Sequence, residues 1–273
     1  MNQPDSASAR ALMVFAHADD ETLLAGALIS KLVTDGYLVK VLCLAPGSDE
    51  RTERLRKACE ILGVGAVETL RYSEGAMWPD ESEAPTSPAS ASGSELGACL
   101  SAAPISDIAG RISGRMIEFD PDIVITHSQY GDYGHADHAA VNRATALAVE
   151  GVMESQSAKI RLYELEWPRW VVRLNSRMLN MGGRDISHMG PDGKFSLPAA
   201  LKSSSNRPVS IKVSSELRVR RKASAWYAPE IAKGPPPMRI LERLPLWIQR
   251  AFLGQARLNL VTAPRDFDLS DGL

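Results

Sequence analysis

Two short clusters in this 273-residue chain carry side chains able to do chemistry. Ala16-His17-Ala18-Asp19-Asp20-Glu21 closes the first apolar run, and Gly134-His135-Ala136-Asp137-His138 lies far downstream. Each sets imidazoles beside carboxylates. Together they can offer two neutral nitrogens and one carboxylate to a divalent ion, with a second carboxylate left over. Three protein ligands and an open position for water are the donor set of a catalytic zinc site, and the same donors admit Fe2+ or Co2+. The chain has five histidines, and three of them fall in these two clusters.

Such clusters do chemistry only if the fold brings them together. Ala11-Leu12-Met13-Val14-Phe15-Ala16 reads as a strand buried on both faces, as in a parallel sheet. Helical spacing predicts a helix over 21–35, stopped by Gly36, and a second over 51–62, stopped by Gly63. Strands are predicted over 37–44, 67–70, 123–126 and 161–165, with helices from 105 to Pro121 and from about 138 to 150. Further on, 211–213 reads as a strand, 216–227 and 244–252 as helices, and Gly234-Pro235-Pro236-Pro237 as a turn or linker. Residues 73–104 interrupt the rhythm with small and polar residues and read as a mobile insert bordering the site.

Alternating strands and helices predict an α/β, Rossmann-like three-layer αβα sandwich with a mostly parallel sheet. Its ligands gather at the carboxyl ends of the strands. The first cluster follows the first strand and the second follows the fourth, so both lie on one edge. The expected organisation is one domain over 1–273: a core of about 11–230, the insert over about 73–104 and a C-terminal extension over 231–273.

Composition narrows the function. With 44% hydrophobic residues and a net charge of −2, the chain as a whole offers no basic surface to nucleic acid or to an anionic membrane. No apolar run reaches the ~20 residues of a transmembrane helix, and the N-terminus lacks the pattern of a secretory signal. Cys43, Cys59 and Cys99 are scattered and form no C-x-x-C pair, which reads as a reduced, cytoplasmic protein. A homo-oligomer is left open.

The motif A-H-A-D-D-E after a first strand, with G-D-Y-G-H-A-D-H after a fourth, resembles the PIG-L/LmbE family of zinc-dependent N-acetylglucosaminyl deacetylases over roughly residues 11–150. The family pattern is A-H-P-D-D-E followed by a G-H-P-D-H-type segment. The resemblance implies a Rossmann-like fold and removal of an acetyl group from an amino sugar or its conjugate, the small-molecule partner. It implies zinc bound by His17, Asp20 and His138, with Asp19 as general base. His135 would hold the oxyanion, oriented by Asp137, and Tyr133 would assist. Arg51 would face substrate hydroxyls. Trp78, at the start of the insert, is a candidate for stacking on a sugar ring. The chain departs from the pattern at Ala18 and Ala136, which replace prolines. It departs again at Arg54, where the family has glutamate, and at Tyr227-Ala228-Pro229-Glu230, where many members carry a His-x-Ser-Gln-type segment.

Each cluster also has a plain structural reading. Asp20 could simply cap a helix, and His135 and His138 could sit on an exposed helix start capped by Asp137. His127, at the end of the fourth strand, reads as a satisfied loop histidine. His188 reads as solvated, and Arg218, Arg220, Arg221 and Lys222 as a solvated helix face. A receiver-like domain lacks its acceptor aspartate here, and no G-x-G-x-x-G or G-x-S-x-G motif is present. A catalytically degenerate member that only binds a glycoconjugate remains the alternative.

Overall fold

The computed structural model describes residues 8–79, 98–167, 169–203, 208–233 and 236–264; the centre of the expected insert, 80–97, lies outside the described residues. Among the described residues, seven strands form one sheet in the order β3-β2-β1-β4-β5-β7-β6. They are β1 (Arg10–His17), β2 (Leu38–Ala45), β3 (Ala66–Thr69), β4 (Ile123–Thr126), β5 (Arg161–Leu165), β6 (Pro208–Lys212) and β7 (Gln255–Thr262). The first five are parallel, and β7 runs antiparallel to both β5 and β6. The fold class read from the sequence is therefore the one observed.

The three layers follow from the period-two geometry of β1. Ala11, Met13 and Phe15 feed one buried cluster, which also holds Leu28, Ile29 and Leu32 of α2 (Gly26–Thr34) and Leu55 and Ala58 of α3 (Asp49–Leu62). Leu12, Val14 and Ala16 feed a second cluster on the opposite face. There Ile108, Ile112 and Met116 of α4 (Ile105–Phe119) meet Val141, Ala144 and Ala148 of α5 (Ala136–Gln156). A strand buried on both faces has no polar side to spare, which accounts for its unbroken apolar run. Chain order reverses between β1 and β4, so a crevice opens where their carboxyl ends diverge.

Several elements differ from the sequence reading. The helix expected over 21–35 is split into α1 (Asp20–Leu23) and α2. Arg220 explains the break: its Nη2 donates to Leu23 O (3.1 Å) and serves the carbonyl that the next helical turn would have used. Arg220 is thus buried, and its guanidinium also pairs with Glu242, whereas Arg218, Arg221 and Lys222 of α8 (Leu217–Ser224) are exposed as expected. Two helices were not read from the sequence, α6 (Arg169–Met181) and α7 (Leu197–Ser203). Nor were α9 (Ala228–Lys233) and α10 (Pro236–Arg243), which bracket the proline run; α11 (Leu246–Leu253) sits within a residue or two of its expected bounds. The expected C-terminal extension is not peripheral, because β7 lies inside the sheet between β5 and β6. All three cysteines are free, and no described helix is long and apolar enough to cross a membrane.

Candidate metal and catalytic site

β1 ends at His17 and α1 begins at Asp20, so the intervening turn must reverse direction within two residues. Asp19 takes the strain, with φ 131° and ψ −27°, a region that costs a non-glycine residue on the order of 1–3 kcal/mol. Asp19 occupies the N-cap position yet makes no side-chain capping bond, and Asp20 Oδ2 instead accepts the backbone N–H of His17 (2.8 Å). Simple helix capping therefore does not account for the aspartate pair. Across the crevice, the β4–α5 loop is shaped by Gly131, where a Cβ would stand 2.3 Å from His135 O. It delivers Asp132, His135, Asp137 and His138, all buried. A buried α5 start rules out the exposed-helix reading of this cluster.

Four imidazoles, from His17, His127, His135 and His138, meet here, and their hydrogen bonds sort them. His17 donates from Nε2 to Asp137 Oδ2 (2.9 Å), which leaves the Nδ1 lone pair free. His138 donates from Nδ1 to Asp132 Oδ2 (2.9 Å), which leaves Nε2 free. His127 has no free nitrogen, since Nδ1 donates to the same Asp132 oxygen (2.6 Å) and Nε2 accepts from Ala16 N (2.9 Å). His135 Nδ1 accepts the Asp137 N–H (3.2 Å), so in the neutral ring Nε2 carries the proton and is a donor. His17 Nδ1 and His138 Nε2, the lone pairs left when both rings are neutral, lie 3.2 Å apart, and a proton on His17 Nδ1 bridges them in the metal-free protein. Asp20 Oδ2 completes a triangle with them at 3.6 Å and 3.4 Å.

That triangle fits a small divalent ion. Ligand atoms about 2.0–2.1 Å from a tetrahedral zinc stand roughly 3.3–3.4 Å from each other. Two other groupings of possible ligands also occur, His17/His135/His138 and Asp20/His127/His138. The hydrogen bonds remove His135 from the first and His127 from the second. His138 is sandwiched between the other two rings, with centroids 3.9 Å from His127 and 4.9 Å from His135. Such a stack is compatible with neutral imidazoles and strained by charged ones.

Electrostatics separate the carboxylates. Burial raises the Asp19 pKa well above the usual carboxylate range, and the Asp20 charge adds to this while Arg51 opposes it. For Asp20, burial is outweighed by His138, His127 and His17, which hold its pKa low. Burial works against the charged form of His17, but the Asp137 hydrogen bond and the Glu74 and Asp20 charges lift its pKa to about 9. Asp132 and Asp137 are both held well below the usual range despite burial, the former chiefly by His127 and the latter chiefly by its bond to His17.

Other expected site residues are placed differently. The Asp137 carboxylate holds His17, not His135, and also accepts from Gly75 N (2.7 Å) and Ser101 N (2.9 Å). These two amides belong to the stems on either side of residues 80–97, so the ends of the expected insert are pinned to the back of the site. Gly75 is required there, since a Cβ would stand 2.7 Å from Asp137 Oδ1. Arg51 is committed within the protein: it donates to Ala18 O (2.9 Å), Asp19 Oδ2 (3.1 Å) and Glu74 Oε2 (2.6 Å). Tyr133 lies edge-on to His138 and His135, with centroids 5.3 Å and 6.2 Å away, and burial pushes its hydroxyl pKa up. Trp78 is no open sugar platform. It is 8% exposed, packs with Tyr130, Met189 and Leu197, and carries the Arg184 guanidinium over its ring at 4.6 Å.

Two residues of the site had no role in the sequence reading. Asp132 was part of the quoted G-D-Y-G-H-A-D-H run, and His127 was read as satisfied, which it is. What the sequence did not show is that both serve His138. The two departures at Arg54 and Glu230 also answer each other, since Arg54 Nη1 donates to Glu230 Oε1 (2.7 Å). His188 is exposed, as expected, and bonds only locally to Asp185.

Comparison with known proteins bears on this geometry. The sequence model of the family described as PIG-L: GlcNAc-PI de-N-acetylase matches residues 12–149, just over half of the chain. The chain belongs to the PIG-L family. Among PIG-L relatives, a 1D-myo-inositol 2-acetamido-2-deoxy-α-D-glucopyranoside deacetylase of Gordonia bronchialis is 25% identical over 288 residues, covering 96% of this chain and 99% of that one. A protein of the same name from Kineococcus radiotolerans is 29% identical over 207 residues, covering 64% of this chain; the chain spans 57% of that relative's length. The solved zinc-inhibited form of teicoplanin deacetylase Orf2 shares the fold with a TM-score of 0.57 at 18% identity, over 94% of this chain and 100% of that one. The matched stretch spans both clusters, from β1 through most of α5.

Proposed function

We propose that this chain is a zinc-dependent hydrolase that removes the N-acetyl group from an amino sugar or its conjugate. The observation that carries the reading is the triangle of His17 Nδ1, Asp20 Oδ2 and His138 Nε2, with sides of 3.2, 3.4 and 3.6 Å, beside the strained Asp19. Two relatives named as deacetylases of an inositol-linked 2-acetamido sugar support the substrate class. The triangle also accepts Fe2+ or Co2+.

A bound zinc would supply Lewis-acid polarisation and a water of lowered pKa. The protein's own groups account for the rest. Asp19, whose pKa burial raises above the usual carboxylate range, takes a proton from water as the oxygen attacks the acetyl carbonyl. Arg51, bonded to Asp19 Oδ2, fixes which carboxylate oxygen is left to do so. The Nε2–H of His135 is the donor available to the developing oxyanion, because its Nδ1 is engaged by Asp137 N–H. Tyr133, kept protonated, is a second donor beside it. Return of the proton from Asp19 to nitrogen breaks the C–N bond and yields free amine and acetate. Asp137 and Asp132 act by fixing the tautomers of His17 and His138. All seven strands join one sheet, which supports reading the chain as a single catalytic domain.

The test is amine release from a panel of N-acetylated glucosaminides and their inositol conjugates by zinc-reconstituted protein. The reading expects zinc-dependent release of equal amounts of amine and acetate from at least one of them. Tight binding of a glycoconjugate with no acetate formed by the fully zinc-loaded protein would support the degenerate binder instead.

A further inference from the structure

The chain's charge is unevenly distributed. Residues 212–257 carry ten Lys and Arg against three carboxylates, a net of +7 in a chain of net −2, so the remainder holds −9. The three carboxylates are occupied within the protein: Glu216 accepts from Ser30, Glu230 pairs with Arg54 and Glu242 with Arg220. Lys212, Arg243, Arg250 and Arg257 are exposed, with no ion pair among the described residues.

These cations share the segment with exposed apolar side chains. Gln249 Nε2 clips α11 to α10 by donating to Leu241 O (2.9 Å) and Leu244 O (3.1 Å). The two helices then present Ile240, Trp247 and Phe252 to solvent at 60%, 75% and 60% exposure. Beside them a depression of about 550 Å³ is lined by Lys212, Ser214, Arg250, Phe252 and Arg257, with no carboxylate in its wall. Lys212 ends β6 and pairs with Gln255 at the start of β7, while Leu165 ends β5 and pairs with Leu258. The face therefore lies at the end of the sheet that carries the metal triangle, three strand steps or roughly 14 Å across from β4.

We propose that α10, α11 and the β6–β7 corner form a docking face for an anionic lipid surface. Amphipathic helices with aromatic and aliphatic tips among arginines are the pattern of interfacial binding, in which the apolar tips enter the headgroup boundary and the cations meet lipid phosphates. An aliphatic tip such as Ile240 gains nothing against a nucleic-acid backbone, which disfavours that partner. Docking here turns the site-bearing end of the sheet toward the headgroups.

The test is co-sedimentation of the full zinc-loaded chain with vesicles of phosphatidylcholine alone or mixed with phosphatidylglycerol, alongside a duplex DNA control. Binding is expected only to the mixed vesicles, and it is expected to fall steeply between about 0.05 M and 0.5 M salt. The pair Arg250→Gln/Arg257→Gln should weaken it by roughly 30-fold, and Trp247→Ala/Phe252→Ala by roughly tenfold or more. Both pairs should keep the wild-type melting temperature and zinc content. Absence of vesicle binding overturns the proposal, as does vesicle binding that both folded variants retain. DNA binding that is lost in the arginine variant and unaffected in the Trp247/Phe252 variant overturns it as well, in favour of nucleic acid.

Discussion

The end of β1 and the loop after β4 contribute the same residue types to one crevice but use them in opposite ways. At the β1 end the carboxylates face the site: Asp20 joins the donor triangle and Asp19 stands beside it. After β4 the carboxylates stand behind imidazoles, Asp132 holding His138 and His127, and Asp137 holding His17. What separates the two sets is that each carboxylate of the second has both an imidazole and a loop amide bonded to it, whereas Asp20 accepts only the His17 amide (2.8 Å) among the described residues and keeps Oδ2 in the triangle. Asp132 and Asp137 accept from loop amides, Ser128 N (3.0 Å) and Gly75 N (2.7 Å), that fix them away from the open crevice. Among the described residues, the Asp19 carboxylate meets only the Arg51 guanidinium. A carboxylate's role is thus decided by which imidazoles and amides bond to it, and a spacing motif does not display those donors.

Removing a carboxylate of the first set should do the most damage. Asp20→Ala should abolish stoichiometric zinc binding and turnover together, checked by elemental analysis and an acetate-release assay. Asp19→Asn should retain one zinc per chain and lose on the order of 10²–10⁴-fold in kcat, with His135→Ala behaving alike because its proposed partner is the oxyanion. A helix-capping role would instead cost each variant about 1 kcal/mol of stability and leave turnover per molecule nearly unchanged.

Carboxylates of the second set should act on affinity more than on chemistry. Asp137→Asn and Asp132→Asn should each weaken zinc binding by about 10–100-fold, measured by competition with a chelator, while kcat at saturating zinc falls much less. A kcat loss as large as that of Asp19→Asn, with zinc affinity intact, would erase the distinction between the two ends.

The smallest effect is on pH. The His17 pKa is raised to about 9 in the metal-free protein. Its imidazolium pair with Asp137 therefore stabilises the fold fully below its ordinary value of 6.5, and this contribution is lost as pH rises through about 9. Zinc needs the neutral ring, so binding at pH 7 should release about one proton, and affinity should rise about tenfold per pH unit until about pH 9. Calorimetry in buffers of different ionisation enthalpy measures that proton directly. Asp137→Asn should shrink the release, because the partner that raises His17 is gone.

The half of the molecule that holds the site was largely legible in the sequence. Continuous apolar runs marked β1, β2 and β4, glycines marked the ends of α2 and α3, and the two motifs marked the crevice. Contacts between distant segments were not legible. No local pattern shows that Arg220 would end α1, or that Asp137 would reach across to His17 while the stems at Gly75 and Ser101 hold it. The family resemblance points Arg51, and stacking chemistry points Trp78, toward a sugar, and the fold gives both partners within the protein. β7 has a local signal, since Gln255-Ala256-Arg257-Leu258-Asn259-Leu260 alternates polar and apolar side chains directly after Gly254; what no local pattern displays is its insertion between β5 and β6. Whole-chain charge likewise concealed the basic segment at 212–257.

The most direct test of the central claim is a crystal structure of the zinc-loaded protein with anomalous data collected at the zinc edge. The account predicts one peak bonded to His17 Nδ1, Asp20 Oδ2 and His138 Nε2, with Asp132 and Asp137 on the far nitrogens of the two imidazoles. A peak ligated by His135 or His127 in place of any of these would contradict it.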